Sequence, residues 1–125
     1  MRLRFLSSCI TLLSLLGGGN AALAQEQTRF LLINGTNYPI RELVVSPHDM
    51  GTWSRNVLRG PDLKPGERRE IVFDSRIYDC NQDFKVMFAD DSSLAIWRYL
   101  NMCELQKIRL NFDRMSGVTT ASYDE

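Results

Sequence analysis

Phe84-Lys85-Val86-Met87-Phe88-Ala89 and Lys107-Ile108-Arg109-Leu110-Asn111-Phe112 are the two stretches on which the fold of this chain turns. In the first, Phe84, Val86 and Phe88 alternate with Lys85, Met87 and Ala89; in the second, Ile108, Leu110 and Phe112 alternate with Lys107, Arg109 and Asn111. Extended backbone sends successive side chains to opposite faces, so a period of two writes a strand with one face in a core. Shorter apolar runs at 30–33, 43–45, 71–73 and 94–100 add further strands, several rich in β-branched or aromatic residues. Between them stand turn clusters: Asn34-Gly35-Thr36-Asn37-Tyr38-Pro39, Lys64-Pro65-Gly66-Glu67 and Asp90-Asp91-Ser92-Ser93. Helical spacing competes only over 97–106, and the tail after Gly117 reads as a last edge strand over 118–123 or as a frayed end. The expectation is an all-β antiparallel β-sandwich, immunoglobulin-like or a small barrel, of about seven or eight strands.

The N-terminus reads differently. Arg2 and Arg4 precede an apolar stretch at 5–16, and Ala22-Leu23-Ala24 offers the small-x-small pattern of a signal-peptidase site. Residues 1–24 are therefore expected to be a signal peptide and 25–125 a single β-sandwich domain. A retained anchor needs roughly 20 apolar residues, and Ser7, Ser8, Thr11 and Ser14 interrupt this stretch. A lipoprotein would place its cysteine after the apolar stretch, whereas Cys9 precedes most of it. No second apolar segment of spanning length follows, so no transmembrane segment is expected after cleavage. The expected location is the periplasm or the secreted space.

Charge limits the partners. The full chain has 15 basic and 15 acidic residues; removing Arg2 and Arg4 leaves 13 against 15, a net of −2. Nucleic-acid binders gather a basic excess to displace counterions from phosphate, and none is present here. The one basic doublet, Arg68-Arg69, lies between Glu67 and Glu70. With Cys9 removed, Cys80 and Cys103 remain as an even pair in an oxidising compartment, where a structural disulfide is the default. Closing that loop removes unfolded-state entropy worth about 3.4 kcal/mol.

Chemical motifs are sparse. Asp79, Asn81, Asp83 and Asp90 fall at four places of an EF-hand spacing, but Phe84 stands where the sharp turn needs Gly and opens a strand. His48-Asp49-Met50 offers imidazole and thioether of the kind copper takes, while a single histidine excludes a multi-histidine zinc site. That histidine also has no Gly-x-Ser-x-Gly elbow to serve, and the paired carboxylates Asp74 with Asp79 and Asp90 with Asp91 sit beside turns, where Asp bonds its own backbone. Asn34-Gly35-Thr36 has the form of a glycosylation sequon, for which the turn reading suffices. The aromatics Tyr38, Trp53, Tyr78, Trp97 and Tyr99 are better suited to recognition. Trp97 is expected in the core and Trp53, in the loop at 47–55 beside His48, on the surface. Exposed edge strands offer a second route, by strand addition.

Several segments together resemble a known family. These are Ile33-Asn34-Gly35-Thr36 with Ile40, Leu43-Val44-Val45-Ser46-Pro47, Trp53 with Asn56 and Leu58, Leu63-Lys64-Pro65-Gly66 leading to Ile71-Val72-Phe73, then Cys80, Asp83, Lys85-Val86, Asp90 and Cys103. In order and spacing they are similar to a family of small exported β-domain proteins of Gram-negative bacteria, across nearly all of residues 25–125. That family has no settled function, so the resemblance implies no catalytic or binding residues. Its usual Asp-Gly turn after the long core strand is replaced here by Asp90-Asp91-Ser92. Members are sometimes labelled argininosuccinate lyase; such lyases are large helical tetramers, an architecture that period-two strands cannot supply.

The functional expectation is a periplasmic non-catalytic binding module for a protein or envelope component. Its possible binding surface is His48, Asp49, Met50 and Trp53, with Cys80–Cys103 as the disulfide. No cofactor, metal or nucleic acid is assigned. The alternatives are a periplasmic copper-binding protein or, further off, a small hydrolase.

Overall fold

The computed structural model describes residues 27–74 and 80–123. They form an all-β sandwich of seven strands: β1 (Gln27–Asn34), β2 (Ile40–Pro47), β3 (Arg68–Asp74), β4 (Asn81–Phe88), β5 (Leu94–Asn101), β6 (Lys107–Asp113) and β7 (Val118–Ser122). One sheet has the order β3-β1-β6-β7 and the other β2-β4-β5, so neither closes into a barrel. The chain switches sheets between β1, β2, β3 and β4, the interlacing by which immunoglobulin-like sandwiches lock their layers. All pairings are antiparallel except β1 with β6, which run parallel from Leu31↔Lys107 to Asn34↔Leu110. The stretch at 97–106 holds the end of β5 and a turn, with no helix. No helix among the described residues is long and apolar enough to cross a membrane.

The alternation in the sequence becomes the core. Phe84, Val86 and Phe88 are fully buried, as are Ile108 and Leu110, and they meet Phe30, Leu32, Leu43, Val45, Ile71 and Phe73 from the facing strands. Phe84 stacks on Phe30 with ring centroids 5.3 Å apart, and Phe30 meets Phe73 edge to face. Trp97 is buried as well, and its indole N–H donates to the Thr120 carbonyl across the sandwich, 2.9 Å away. That bond and Thr119 Oγ1 donating to the Ile96 carbonyl join β5 to β7 along one side.

Polar side chains fasten the ends. Asn34 is completely buried, with Nδ2 donating to the Tyr38 and Leu63 carbonyls and Oδ1 accepting from the amide and hydroxyl of Thr36. The sequon-like triplet is thus an internal turn with every polar atom of the asparagine amide engaged. Gly35 follows because nothing larger fits: a Cβ there would lie 2.6 Å from Asn111 Oδ1, 2.7 Å from Arg109 Cγ and 2.8 Å from the Leu110 carbonyl oxygen. That carbonyl already accepts the Gly35 amide, so it cannot withdraw without breaking the bond. Gly35→Ala is expected to cost roughly 2–3 kcal/mol, as overpacking against fixed backbone does, read as a lower urea midpoint with unchanged slope.

The turn between β4 and β5 is held from across the molecule. Ser92 adopts φ 61°, the left-handed conformation that glycine takes without steric cost, and the Asp91 carboxylate accepts from the Ser93 amide and hydroxyl. Arg114 binds Asp90 through two parallel hydrogen bonds of 2.9 and 3.0 Å while its guanidinium lies 3.6 Å from the Tyr38 ring centroid. Those hydrogen bonds hold the Asp90 carboxyl below its ordinary range. The disulfide joins Cys80, just ahead of β4, to Cys103 in the β5–β6 turn, with the Cα atoms 5.1 Å apart. It fits an exported protein.

Candidate functional site

The site lies on the outer face of the β2-β4-β5 sheet. Because Leu43, Val45, Phe84, Val86, Phe88, Ala95 and Trp97 point inward, the residues between them face out, and the register sets them in rows. Glu42, Met87 and Leu94 form one row and Val44, Lys85 and Ile96 the next. The third pairs Ser46 with Asp83, opposite Arg98 and Tyr99. The connection from β2 to β3 is long enough to run back along the sheet. Residues 54–57 pair with the free edge of β2: the Ser54 and Val57 amides donate to the Val45 and Leu43 carbonyls, and Ser54 Oγ and Asn56 Oδ1 accept the Val45 and Leu43 amides. This edge is therefore covered, and strand addition there would first have to displace the loop.

Asp83 is the centre of the third row. It faces outward by register yet is 2% exposed, because the start of the loop and the end of β5 fold over it. Opposite it, β5 inserts one extra residue: Gln82 pairs with Leu100 and Phe84 with Trp97, leaving Asp83 against both Arg98 and Tyr99. The bulge places Tyr99 at φ 65°, and its amide donates to Asp83 Oδ1 at 2.9 Å. Asp49, at φ 62°, donates its amide to Oδ2 at 3.1 Å. His48 Nδ1 lies 2.8 Å from Oδ1, and Arg98 Nη1 lies 3.4 Å from Oδ2. The His48 ring stacks flat on Tyr99, centroids 4.4 Å apart and 9° from parallel.

Burial would push the Asp83 carboxyl up. The hydrogen bond from His48 and the amides of Asp49 and Tyr99 outweigh it and hold the group below its ordinary value. The folded state therefore favours the carboxylate. Stability from this cause is complete above the unfolded pKa of about 3.9 and is lost as pH falls through the lower folded value. The stability gap between the native protein and Asp83→Asn is accordingly expected to narrow below about pH 4, measurable by urea titration at successive pH values.

The first two rows form a shallow groove of about 290 Å³ lined by Glu42, Val44, Trp53, Lys85, Met87 and Leu94. Trp53 comes from the same loop, with Lys85 Nζ 4.4 Å from its ring centroid. The residues singled out in the sequence are thus distributed along one face. His48 and Asp49 join Asp83, Trp53 lines the groove of the neighbouring rows, and Met50 projects at 65% exposure from the turn after β2. The EF-hand spacing does not form a loop, since Asn81 and Asp83 belong to β4 and Asp90 binds Arg114; Asp79 and Tyr78 lie outside the described residues.

Arg98 was not visible in the sequence; Tyr99 stood out there only as one of the aromatics suited to recognition, and Asp83 only as part of a calcium-loop spacing and of the resemblance, without its central part in this site. A bulge leaves no pattern in a single chain, and the only local sign was an acid on the strand just before the apolar alternation of β4. The chain matches no protein-family model, no curated protein and no solved structure.

Proposed function

We propose that this protein is an exported, non-catalytic binding module whose partner, a protein or an envelope component, docks on the outer face of the β2-β4-β5 sheet. One observation carries the reading. A solvent-facing side of an antiparallel sheet is ordinarily polar, yet here Val44, Met87, Leu94 and Ile96 face outward beside Trp53, with Leu94 55% exposed. An aromatic anchor in a shallow apolar groove, rimmed by Glu42 and Lys85, has the make-up of an interaction surface. The sandwich supplies a rigid platform beneath it, and the long loop that carries Trp53 is pinned to β2 by backbone bonds.

The signal peptide at 1–24, the periplasmic location and the resemblance to small exported β domains belong to the same proposal. A hydrolase reading is less favoured. The buried carboxylate that would orient a catalytic histidine has its acceptors filled by two amides, an imidazole and a guanidinium, and what faces the ring's other nitrogen is a carboxylate rather than a nucleophile.

Trp53→Ala is expected to weaken partner binding by tenfold or more, since a central aromatic anchor contributes about 2 kcal/mol or more at such surfaces. The check is capture of a partner from envelope extract, followed by titration of that partner against the native protein, Trp53→Ala and Arg29→Ala, the last lying on the other sheet in an exposed pair with Glu70. Equal affinity for native protein and Trp53→Ala would remove the groove from the reading.

A further inference from the structure

We propose that His48 Nε2 and the Asp49 carboxylate form a surface site for a divalent transition-metal ion, zinc or copper(II), with Asp83 holding the imidazole from behind. The site is separate from the groove and does not depend on its having a partner.

The argument starts from two acceptors that face each other. Each oxygen of Asp83 accepts a backbone amide, Oδ1 from Tyr99 and Oδ2 from Asp49, so the carboxyl group stands as an acceptor, the ring nitrogen 2.8 Å from it is the donor, and Nδ1 carries the hydrogen. In the neutral ring this leaves a lone pair on Nε2, and Nε2 lies 3.2 Å from Asp49 Oδ2, itself an acceptor. Two lone pairs at that distance repel unless a cation stands between them, either a proton on Nε2 or a metal ion.

The geometry suits a metal. Zinc binds nitrogen and oxygen donors at about 2.0–2.2 Å, and adjacent donors around a tetrahedral or square-planar ion are then separated by roughly 2.9–3.4 Å. The observed 3.2 Å falls in that interval. Histidine ligands ordinarily donate their other nitrogen to a carboxylate, which fixes tautomer and ring orientation, and Asp83 does so here. Tyr99 adds a stacked ring on the imidazole face. His48, Asp49 and Asp83 bring possible ligand atoms within 4.8 Å of one another, but the oxygens of Asp83 are already committed to its four donors. Its place is therefore to position the ring.

The charged groups around the ring are Asp49, Asp83 and Arg98, with Tyr99 on its face. Arg98 Nη1 lies 3.8 Å from Asp49 Oδ1, the oxygen turned away from His48, so the guanidinium does not fill the gap. Its charge still opposes a cation, and being 57% exposed it can turn into solvent. Two protein ligands leave the remaining positions to water or to a donor from a partner, and Met50 projects from the same turn.

The test uses the fact that the chain has one histidine. Untagged protein labelled with 15N shows a single imidazole, whose two nitrogens report protonation and ligation separately. On titration with zinc chloride in a non-coordinating buffer near neutral pH, the Nε2 resonance is expected to move and saturate at one equivalent while Nδ1 keeps its hydrogen. Asp49→Asn, which retains a residue that tolerates positive φ, is expected to weaken zinc at least tenfold. His48→Gln is expected to abolish binding, and Arg98→Gln to tighten it severalfold. Thermal melts of each variant establish that it is folded. Trp53→Ala is expected to leave the zinc response unchanged, so loss of the groove and loss of the metal site are told apart. An Nε2 resonance that does not respond to zinc or copper(II), or equal zinc affinity in Asp49→Asn, would overturn the site.

Discussion

Asp83→Ala is expected to destabilise the protein by roughly 3 kcal/mol, more than any other single change to an outward-facing residue of the β2-β4-β5 sheet. The figure follows from what the carboxylate leaves behind. The amides of Asp49 and Tyr99, both in part-buried hydrogen bonds, lose their acceptor, and a donor orphaned in this way costs up to the roughly 1–3 kcal/mol of a fully buried one. Both residues hold positive φ, which for non-glycine residues costs of order 1–2 kcal/mol and persists only where the surroundings impose it. Without Asp83 the bulge in β5 and the turn after β2 lose that support together. His48 and Arg98 are 28% and 57% exposed and recover solvation, so their contribution is smaller. His48→Gln is therefore expected to cost no more than about 1 kcal/mol. Urea denaturation of the two variants separates the cases. A larger loss for His48→Gln than for Asp83→Ala would mean that the stacked imidazole, and not the carboxylate, holds the loop to the sheet.

Replacing Cys80 and Cys103 together with Ser is expected to cost about 3 kcal/mol, a fall in Tm of roughly 12–24 °C for a domain of this size. The bridge spans a sequence separation of 23, and the chain-entropy argument places most of its effect in the unfolded ensemble. The native arrangement does not rest on the sulfurs alone: the Met102 amide donates to the Cys80 carbonyl at 2.8 Å, and β4 and β5 pair from Asn81↔Asn101 onward. The reduced protein should therefore keep its far-ultraviolet dichroism at low temperature and melt earlier. Thermal melts with and without reductant test this. A reduced protein without β-structure at low temperature would show that the bridge is required to form the sandwich.

The two largest effects thus fall at the same end of β4. Asn81 begins the strand next to Cys80, and Asp83 stands two residues on, under His48 and Tyr99. Disulfide, bulge and loop together fix the end of the face that carries the proposed metal site, while the groove around Trp53 lies in the adjoining rows.

What the sequence by itself determined is the class of fold and most of its core. Period-two alternation is a local property, so Phe84, Val86, Phe88, Ile108 and Leu110 announced buried strand faces before any partner strand was known. The turn clusters marked the strand ends, and the even cysteine pair marked the bridge. Tertiary structure alone decided the rest. The parallel pairing of β1 with β6 joins segments whose sequences carry no sign of each other. Gly35 is required by the Leu110 carbonyl, a neighbour only in space. Of the site, His48, Asp49 and Trp53 were visible as residue types able to bind, but their environment was not. Whether an Asp on the outward side of a strand is solvated or buried depends on a bulge in the next strand and on a loop folded over it, and both are long-range events. The physical reason is the same in each case: a strand's own pattern states which face it buries, while hydrogen bonding and charge at a site depend on which distant residues that burial brings together.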